Sequence, residues 1–155
     1  MSAKLAHRQY FSVASANQTL PLVRAIVTDI VELYPEVRDR EERLNRILRG
    51  RPKDSRPDDL YSEEVEQVKQ DLERDVERLQ SFIDELQELG VEFKDPVIGL
   101  VDFPAKRHGV EVCLCWKLGE PSVGFWHTVD SGFQGRQELI DGELDSVDSV
   151  AQQKE

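Results

Sequence analysis

A group of side chains that can bind a ligand or a metal ion is concentrated between residues 102 and 136. They are Asp102, Trp116, His127, Asp130 and Arg136. Two carboxylates and an imidazole can hold a divalent metal ion, so Asp102, His127 and Asp130 are the candidate metal ligands. The guanidinium of Arg136 can bind a carboxylate or phosphate through paired donors, and the indole of Trp116 can stack on a ring. The pattern therefore predicts a small-anion pocket or a metal site.

A purely structural arrangement of the same residues is the alternative. Asp102 and Arg136 can form an ion pair, and His127 can be a hydrogen-bonded, half-buried residue of a sheet. No residue is assigned a catalytic role, because the sequence contains no nucleophile elbow, phosphate-binding glycine loop, His-x-x-x-His pair or EF-hand loop. Cys113 and Cys115 alternate along one predicted strand with their sulfurs about 7 Å apart, which opposes joint binding of one zinc ion.

A three-stranded antiparallel β-meander is expected to carry these residues. Its runs are rich in β-branched and aromatic residues, and turn compositions separate them. The runs span residues 97–104, 110–117 and 123–129. A glycine-hinged loop at 131–140 follows and can fold back over the sheet. Because both faces are substantially apolar, one is expected to pack on the preceding helices and the other on a second subunit or on the tail.

The register of this sheet decides which candidate ligands can meet. Asp102 and His127 are expected to flank Val112 on one face, with about 10 Å between their backbones. Asp130 is expected to reach His127 directly, and Arg136 to close over the same place. A slip of one residue would move a strand's side chains to the other face.

Heptad-spaced apolar residues before the sheet predict a long antiparallel helical hairpin of coiled-coil type over about 18–90. The two helices are joined by about ten residues, which favours antiparallel packing. Folding the pair about residue 55 predicts a hydrogen bond from the phenol of Tyr34 to the carboxylate of Asp75. The predicted fold class is α+β.

Composition limits the classes of function. The net charge of −11 opposes sequence-independent binding to nucleic acid, and no apolar run is long enough to cross a membrane. The first residues lack the apolar core of a secretory signal, so a cytoplasmic location is expected. The 155 residues indicate a single domain over 1–142. The acidic tail over 143–155 is expected to be disordered.

A cluster of arginines marks the tip of the predicted hairpin. The cluster comprises Arg40, Arg43, Arg46 and Arg49, followed by Arg51, Lys53 and Arg56 in the loop. Such a cluster can touch RNA phosphates or an acidic protein. The alternative is mutual neutralisation by acidic residues at the start of the second helix.

Four stretches of the sequence resemble the bacterial domain-of-unknown-function family 2203. They are Gly99-Leu-Val-Asp-Phe-Pro-Ala105, Val112-Cys-Leu-Cys-Trp-Lys-Leu-Gly-Glu-Pro121, Trp126-His127 and Asp130-Ser-Gly-Phe-Gln-Gly-Arg136. The resemblance covers most of the chain and implies a small cytoplasmic bacterial protein with a helical hairpin and a small sheet, without an established activity. Members of the family often have tyrosine where Cys113 stands, which argues against a role that needs both cysteines.

Three hypotheses about function remain open. The first is a non-enzymatic interaction or scaffold-like module that forms a homodimer and binds a protein partner through the hairpin. The second is a metal- or small-anion-binding protein, conceivably a hydrolase, whose site lies at the rim of the sheet. No cofactor is predicted apart from a divalent metal under this second hypothesis. The third is RNA contact through the arginine-rich tip.

Overall fold

The computed structural model describes residues 9–50, 60–140 and 144. Two helices, α1 (Val13–Arg49) and α2 (Leu60–Glu88), precede a sheet. The strands are β1 (Glu92–Asp95), β2 (Leu100–Arg107), β3 (Val110–Lys117), β4 (Phe125–Thr128) and β5 (Gln137–Glu138), and a 3₁₀ turn lies at Phe133–Gly135. The α+β fold class is confirmed. The predicted hairpin loop at 50–59, apart from Gly50, and the predicted tail, apart from Leu144, lie outside the described residues.

Helix α1 begins at Val13, earlier than predicted, because Ser12 caps it. The amide of Ser15 donates to the Ser12 hydroxyl at 3.0 Å, and the amide of Ser12 donates to the Ser15 hydroxyl at 2.9 Å. This reciprocal capping box satisfies two of the amides that a helix start leaves free. The helix then continues through Pro21 and Pro35. In the described residues, neither helix combines the length with the apolar content that crossing a membrane requires.

The two helices form a hairpin through a shared apolar seam that contains one buried carboxylate. Asp75 is only 6% exposed, and its partner across the hairpin is the guanidinium of Arg40. The predicted hydrogen bond from Tyr34 to Asp75 is replaced by this ion pair, since the phenol of Tyr34 instead accepts from Arg38 at 3.1 Å. A long arginine side chain reaches the carboxylate from the edge of the seam and brings the opposite charge that burial demands.

The sheet is antiparallel with the strand order β1-β2-β3-β4-β5. The prediction of three strands was therefore wrong, because two edge strands were missed. They are short, with four residues in β1 and two in β5. Because both strands are mostly polar, they lack the alternating apolar pattern by which a strand is recognised in a sequence. They join the sheet through backbone pairing with their neighbours.

A two-residue turn between β2 and β3 sets the register of the central hairpin. His108 and Gly109 both have positive φ angles, of 51° and 77°, as in a type I′ turn. The turn places Asp102 opposite Cys115. The prediction had placed it on the same face as Val112. Since residues opposite each other share a face, this difference moves Asp102 to the other side of the sheet.

The sheet consequently has two unlike faces. The face that packs on the helices is apolar and buried, and its members are Val101, Phe103, Ala105, Val112, Leu114, Trp116 and Trp126. We call the opposite side the distal face; it carries Asp102, Cys113, Cys115, Phe125 and His127. The predicted face that combined Asp102 and His127 with Val112 was therefore wrong.

Candidate functional site

Asp102, Cys115 and His127 form a buried cluster on the distal face. Strands β2, β3 and β4 contribute one residue each. The three residues are 3%, 0% and 2% exposed, respectively. One donor atom from each residue, a carboxylate oxygen, the thiol sulfur and a ring nitrogen, lie within 4.8 Å of one another. Three neighbouring strands thus bring three different metal-ligand types to one point inside the protein.

The hydrogen bonds of His127 fix its orientation. Its Nδ1 lies 2.7 Å from the backbone oxygen of Thr128, and its Nε2 lies 3.0 Å from Oδ1 of Asp102. A carbonyl oxygen only accepts, so Nδ1 carries a hydrogen. An ionised carboxylate also only accepts, so the contact with Asp102 requires a positive centre between the two atoms. That centre is either a proton or a metal ion.

Cys115 is a neutral thiol in this environment. Burial raises its pKa to about 12, the charge of Asp102 raises it too, and the charge of Arg136 opposes them. The thiolate is the reactive form of cysteine, so this thiol is not an activated nucleophile near neutral pH. The ring nitrogen that faces the cluster is also engaged by Asp102. The arrangement therefore differs from a Cys-His-Asp catalytic triad, in which the imidazole links the other two groups through its two nitrogens.

An ion pair lies beside the cluster. Nη2 of Arg136 donates to both carboxylate oxygens of Glu120, at 2.9 Å and 2.8 Å. Glu120 also accepts from the backbone amide of Lys117 at 2.7 Å. The guanidinium stacks on Phe125, with Cζ 3.9 Å from the ring centroid. Because Phe125 is the cross-strand neighbour of Cys115, the ion pair sits next to the buried thiol.

The structure brings only some of the predicted site residues together. Asp102 and His127 meet directly, and Arg136 lies near them but pairs with Glu120. Asp130 is exposed in the turn after β4 and is not among the clustered ligands. Trp116 is fully buried on the helix-facing side, where its Nε1 donates to the backbone of Glu120 at 3.0 Å. It positions the loop that carries Glu120.

Two residues of this region were not placed at the site from the sequence, although Cys115 had been considered together with Cys113. Cys115 joins the cluster because of the register, and the His108-Gly109 dipeptide is the signal that would have revealed it, since two residues with positive φ close a hairpin tightly. Glu120 has no comparable signal. Its position depends on the chain reversal that brings Arg136 back over β4, and no local pattern specifies that contact.

The arginine-rich tip is partly neutralised within the hairpin. Arg43 lies 3.4 Å from Glu64, and Arg40 is paired with Asp75. Arg46 is exposed. The basic residues of the loop, at 51, 53 and 56, lie outside the described residues. These pairs agree with mutual neutralisation, and RNA contact stays a prediction.

The chain belongs to a family of uncharacterized conserved proteins, DUF2203, whose model matches residues 9–139. The resemblance predicted from the sequence is thereby confirmed. No curated protein and no solved structure matches the chain.

Proposed function

We propose that this member of the DUF2203 family binds one divalent transition-metal ion, of the kind that zinc represents, through Asp102, Cys115 and His127. The observation that carries the proposal is the convergence of three buried donor atoms within 4.8 Å of one another. Zinc with bonds of about 2.0 Å to nitrogen and 2.3 Å to sulfur keeps its tetrahedral ligand atoms about 3.5 Å apart. Small side-chain adjustments bring the cluster to that spacing.

The surroundings of His127 support the same conclusion. A histidine that binds a metal through one ring nitrogen usually donates the hydrogen of the other to a backbone carbonyl or carboxylate. His127 does so, because its Nδ1 is held by the carbonyl of Thr128 while Nε2 faces the cluster. A metal ion between Nε2 and Asp102 would also supply the positive centre that this contact requires.

The donor set indicates which metals fit. A thiolate and an imidazole favour zinc and its neighbours over magnesium or calcium, which prefer oxygen ligands. Three protein ligands leave a fourth position open, the composition of catalytic rather than structural zinc sites. The competing explanation is a buried network in which a proton bridges His127 and Asp102, with Cys115 as a small buried thiol.

Titration of the metal-free protein with Co²⁺ and Zn²⁺ separates these explanations. We expect one ion per chain and, with Co²⁺, the near-ultraviolet charge-transfer absorption of a cobalt–thiolate bond. Cys115→Ala should abolish that absorption and weaken binding by more than about 100-fold, because losing a ligand costs more than losing an outer hydrogen-bond partner. Cys113→Ala, on the same face of the same strand, is the matched control and should retain both.

The exposed Asp130 provides a second comparison. Asp130→Asn should bind metal as the unchanged protein does, whereas Asp102→Asn should not, because a carboxylate oxygen of Asp102, and not of Asp130, is among the donor atoms within 4.8 Å of one another. The absence of stoichiometric binding, or a thiolate absorption that survives in Cys115→Ala, would contradict the proposal.

The interaction-module hypothesis and its homodimer stay separate predictions. The homodimer was predicted partly because the second, apolar face of the sheet was expected to need cover from another subunit or from the tail. Asp102, Cys115 and His127 are already buried within one chain, so that argument does not extend to the cluster. Light scattering tests the homodimer, and a particle of 17.8 kDa would contradict it.

A further inference from the structure

We propose that Arg136, held by Glu120 in the resting protein, is a binding group for a small oxyanion that also reaches the metal ion. The inference rests on the proposed metal site and names the class of ligand, a phosphate or carboxylate, that this site would take. In this arrangement Glu120 occupies the place of the anion, and the incoming ligand displaces it.

The guanidinium of Arg136 has one buried donor that forms no hydrogen bond with the described residues. Only Nη2 is bonded to Glu120, and it contacts both carboxylate oxygens. The neighbouring Nε is buried and has no hydrogen-bond partner among the described residues. Nε and Nη2 form one edge of the guanidinium, which matches two oxygens of a carboxylate or phosphate. Glu120 therefore uses half of an edge that an oxyanion could use completely.

Aromatic contacts hold this guanidinium in place. Its Cζ lies 3.9 Å from the centroid of Phe125 and 5.0 Å from that of Phe133. The side chain of Arg136 is 14% exposed, so most of it is buried against these rings. A second cation is near, because Nζ of Lys117 lies 5.9 Å from the ring of Phe133. Displacing the carboxylate of Glu120 would leave the guanidinium of Arg136 available to another anion.

The position of the ion pair connects it to the metal cluster. Phe125, on which Arg136 stacks, is paired with Cys115 in the β3–β4 register. The charges of Arg136 and Glu120 both act on the Cys115 thiol, in opposite directions. An oxyanion bound at Arg136 would thus lie beside Cys115, and it could also serve as the fourth ligand of a metal ion held by Asp102, Cys115 and His127.

The alternative is that Arg136 and Glu120 only anchor the loop after β4. The two explanations differ in what Glu120→Gln does. If the carboxylate competes with the anion, its neutralisation frees Arg136 and strengthens anion binding. If the pair is only an anchor, the same change weakens the loop and creates no anion affinity.

Calorimetric titration of the zinc-loaded full chain with orthophosphate, and separately with acetate, tests the inference. For at least one probe, we expect Glu120→Gln to bind about tenfold more tightly than the unchanged protein and Arg136→Lys about tenfold more weakly. The probe with the larger gain identifies phosphate or carboxylate as the preferred class. Arg107→Lys is the matched control, because Arg107 also stacks on an aromatic ring, the indole of Trp126 at 4.7 Å, and its buried Nε also has no hydrogen-bond partner among the described residues.

Arg107 lies on the helix-facing side of the sheet, so its replacement should leave anion binding unchanged. Metal content is measured for every variant in the same samples. If one zinc ion is bound but neither probe gains affinity in Glu120→Gln, this inference is overturned and the metal site stands. An equal loss of affinity for the anion in Arg107→Lys and Arg136→Lys would also overturn the inference. If no metal is bound, the proposed function fails, and this inference fails with it.

Discussion

Binding of a metal ion to the cluster should release two protons at pH 7. One comes from Cys115, whose pKa is raised to about 12 mainly by burial and which is therefore a thiol before the metal binds. The other comes from the contact between His127 Nε2 and Asp102 Oδ1, which needs a bridging proton when no metal is present. A metal ion replaces both, because it binds a thiolate, a free ring nitrogen and an ionised carboxylate.

The pH dependence of affinity follows from this count. Each released proton changes the binding free energy by about 1.4 kcal/mol per pH unit, so two protons change it by about 2.7 kcal/mol. Lowering the pH from about 7 to about 6 should therefore weaken binding by roughly 100-fold. The sign is definite, since protons compete with the metal for the same atoms.

Isothermal titration calorimetry in buffers of different ionisation enthalpy measures the proton count directly. The slope of the observed enthalpy against the buffer enthalpy should correspond to two protons per ion. Cys113→Ala should give the same slope, because Cys113 contributes no atom to the cluster. A release of one proton or fewer would refute the reasoning, since it would mean that either Cys115 is not a ligand or no proton bridges His127 and Asp102.

Three further predictions concern stability in urea. Gly99→Ala should lower the free energy of unfolding by about 3 kcal/mol, because Gly99 has a φ of +68° and a Cβ would lie 2.7 Å from a neighbouring side chain. Gly109→Ala is the control and should lower it clearly less, because the surroundings of Gly109 are open. Equal losses in the two variants would contradict this reasoning. Between pH 9 and 12, the free energy of unfolding of the metal-free protein should fall by about 1 kcal/mol per pH unit relative to that of Cys115→Ala. The reason is that folding raises the pKa of this thiol from 9.0 to about 12, so in this range the unfolded chain releases the proton and the folded chain keeps it. Parallel curves of stability against pH for the two proteins would contradict this prediction. Arg40→Met should lower the free energy of unfolding by about 2 kcal/mol, because it leaves Asp75 buried without its partner. Adding Asp75→Leu should recover most of that loss, and an Arg40→Met variant as stable as the unchanged protein would contradict the prediction.

The helical part of the fold was accessible from the sequence because its signal is long and redundant. Many apolar positions at heptad spacing specify each helix, so an error at one position does not change the assignment. The start at Val13 was missed because it is set by the capping box of Ser12 and Ser15 and not by the heptad pattern. Strands β1 and β5 were missed because their pairing depends on neighbouring backbones and not on their own side chains.

The candidate site was only half accessible, and the reason is the period of a strand. A shift of one residue in the pairing register of a hairpin moves the side chains of one strand to the opposite face of the sheet. The same strands joined by a different turn would therefore place Asp102 and Cys115 on opposite faces. The bounds of strand β3, Val110–Lys117, were predicted correctly. The register was wrong because residues 105–109 were taken as the turn, whereas the turn consists of only His108 and Gly109. Two residues with positive φ, His108 and Gly109, carry the information that decides the register.

The cluster also departs from what a stable sheet requires. An acid, an imidazole and a thiol replace apolar side chains at positions that are at most 3% exposed, although burying such groups is unfavourable unless each is satisfied. His127 is held by Thr128 and Asp102, but the latter contact still needs a positive centre. Three neighbouring strands each contribute a polar group to one buried place, and apolar packing alone does not favour such a set. Natural proteins break this rule mainly at functional or strained sites. A metal ion bound as proposed would address all three departures together: it would be the positive centre, it would convert the thiol into a ligand, and it would use the ring nitrogen Nε2 that points inward.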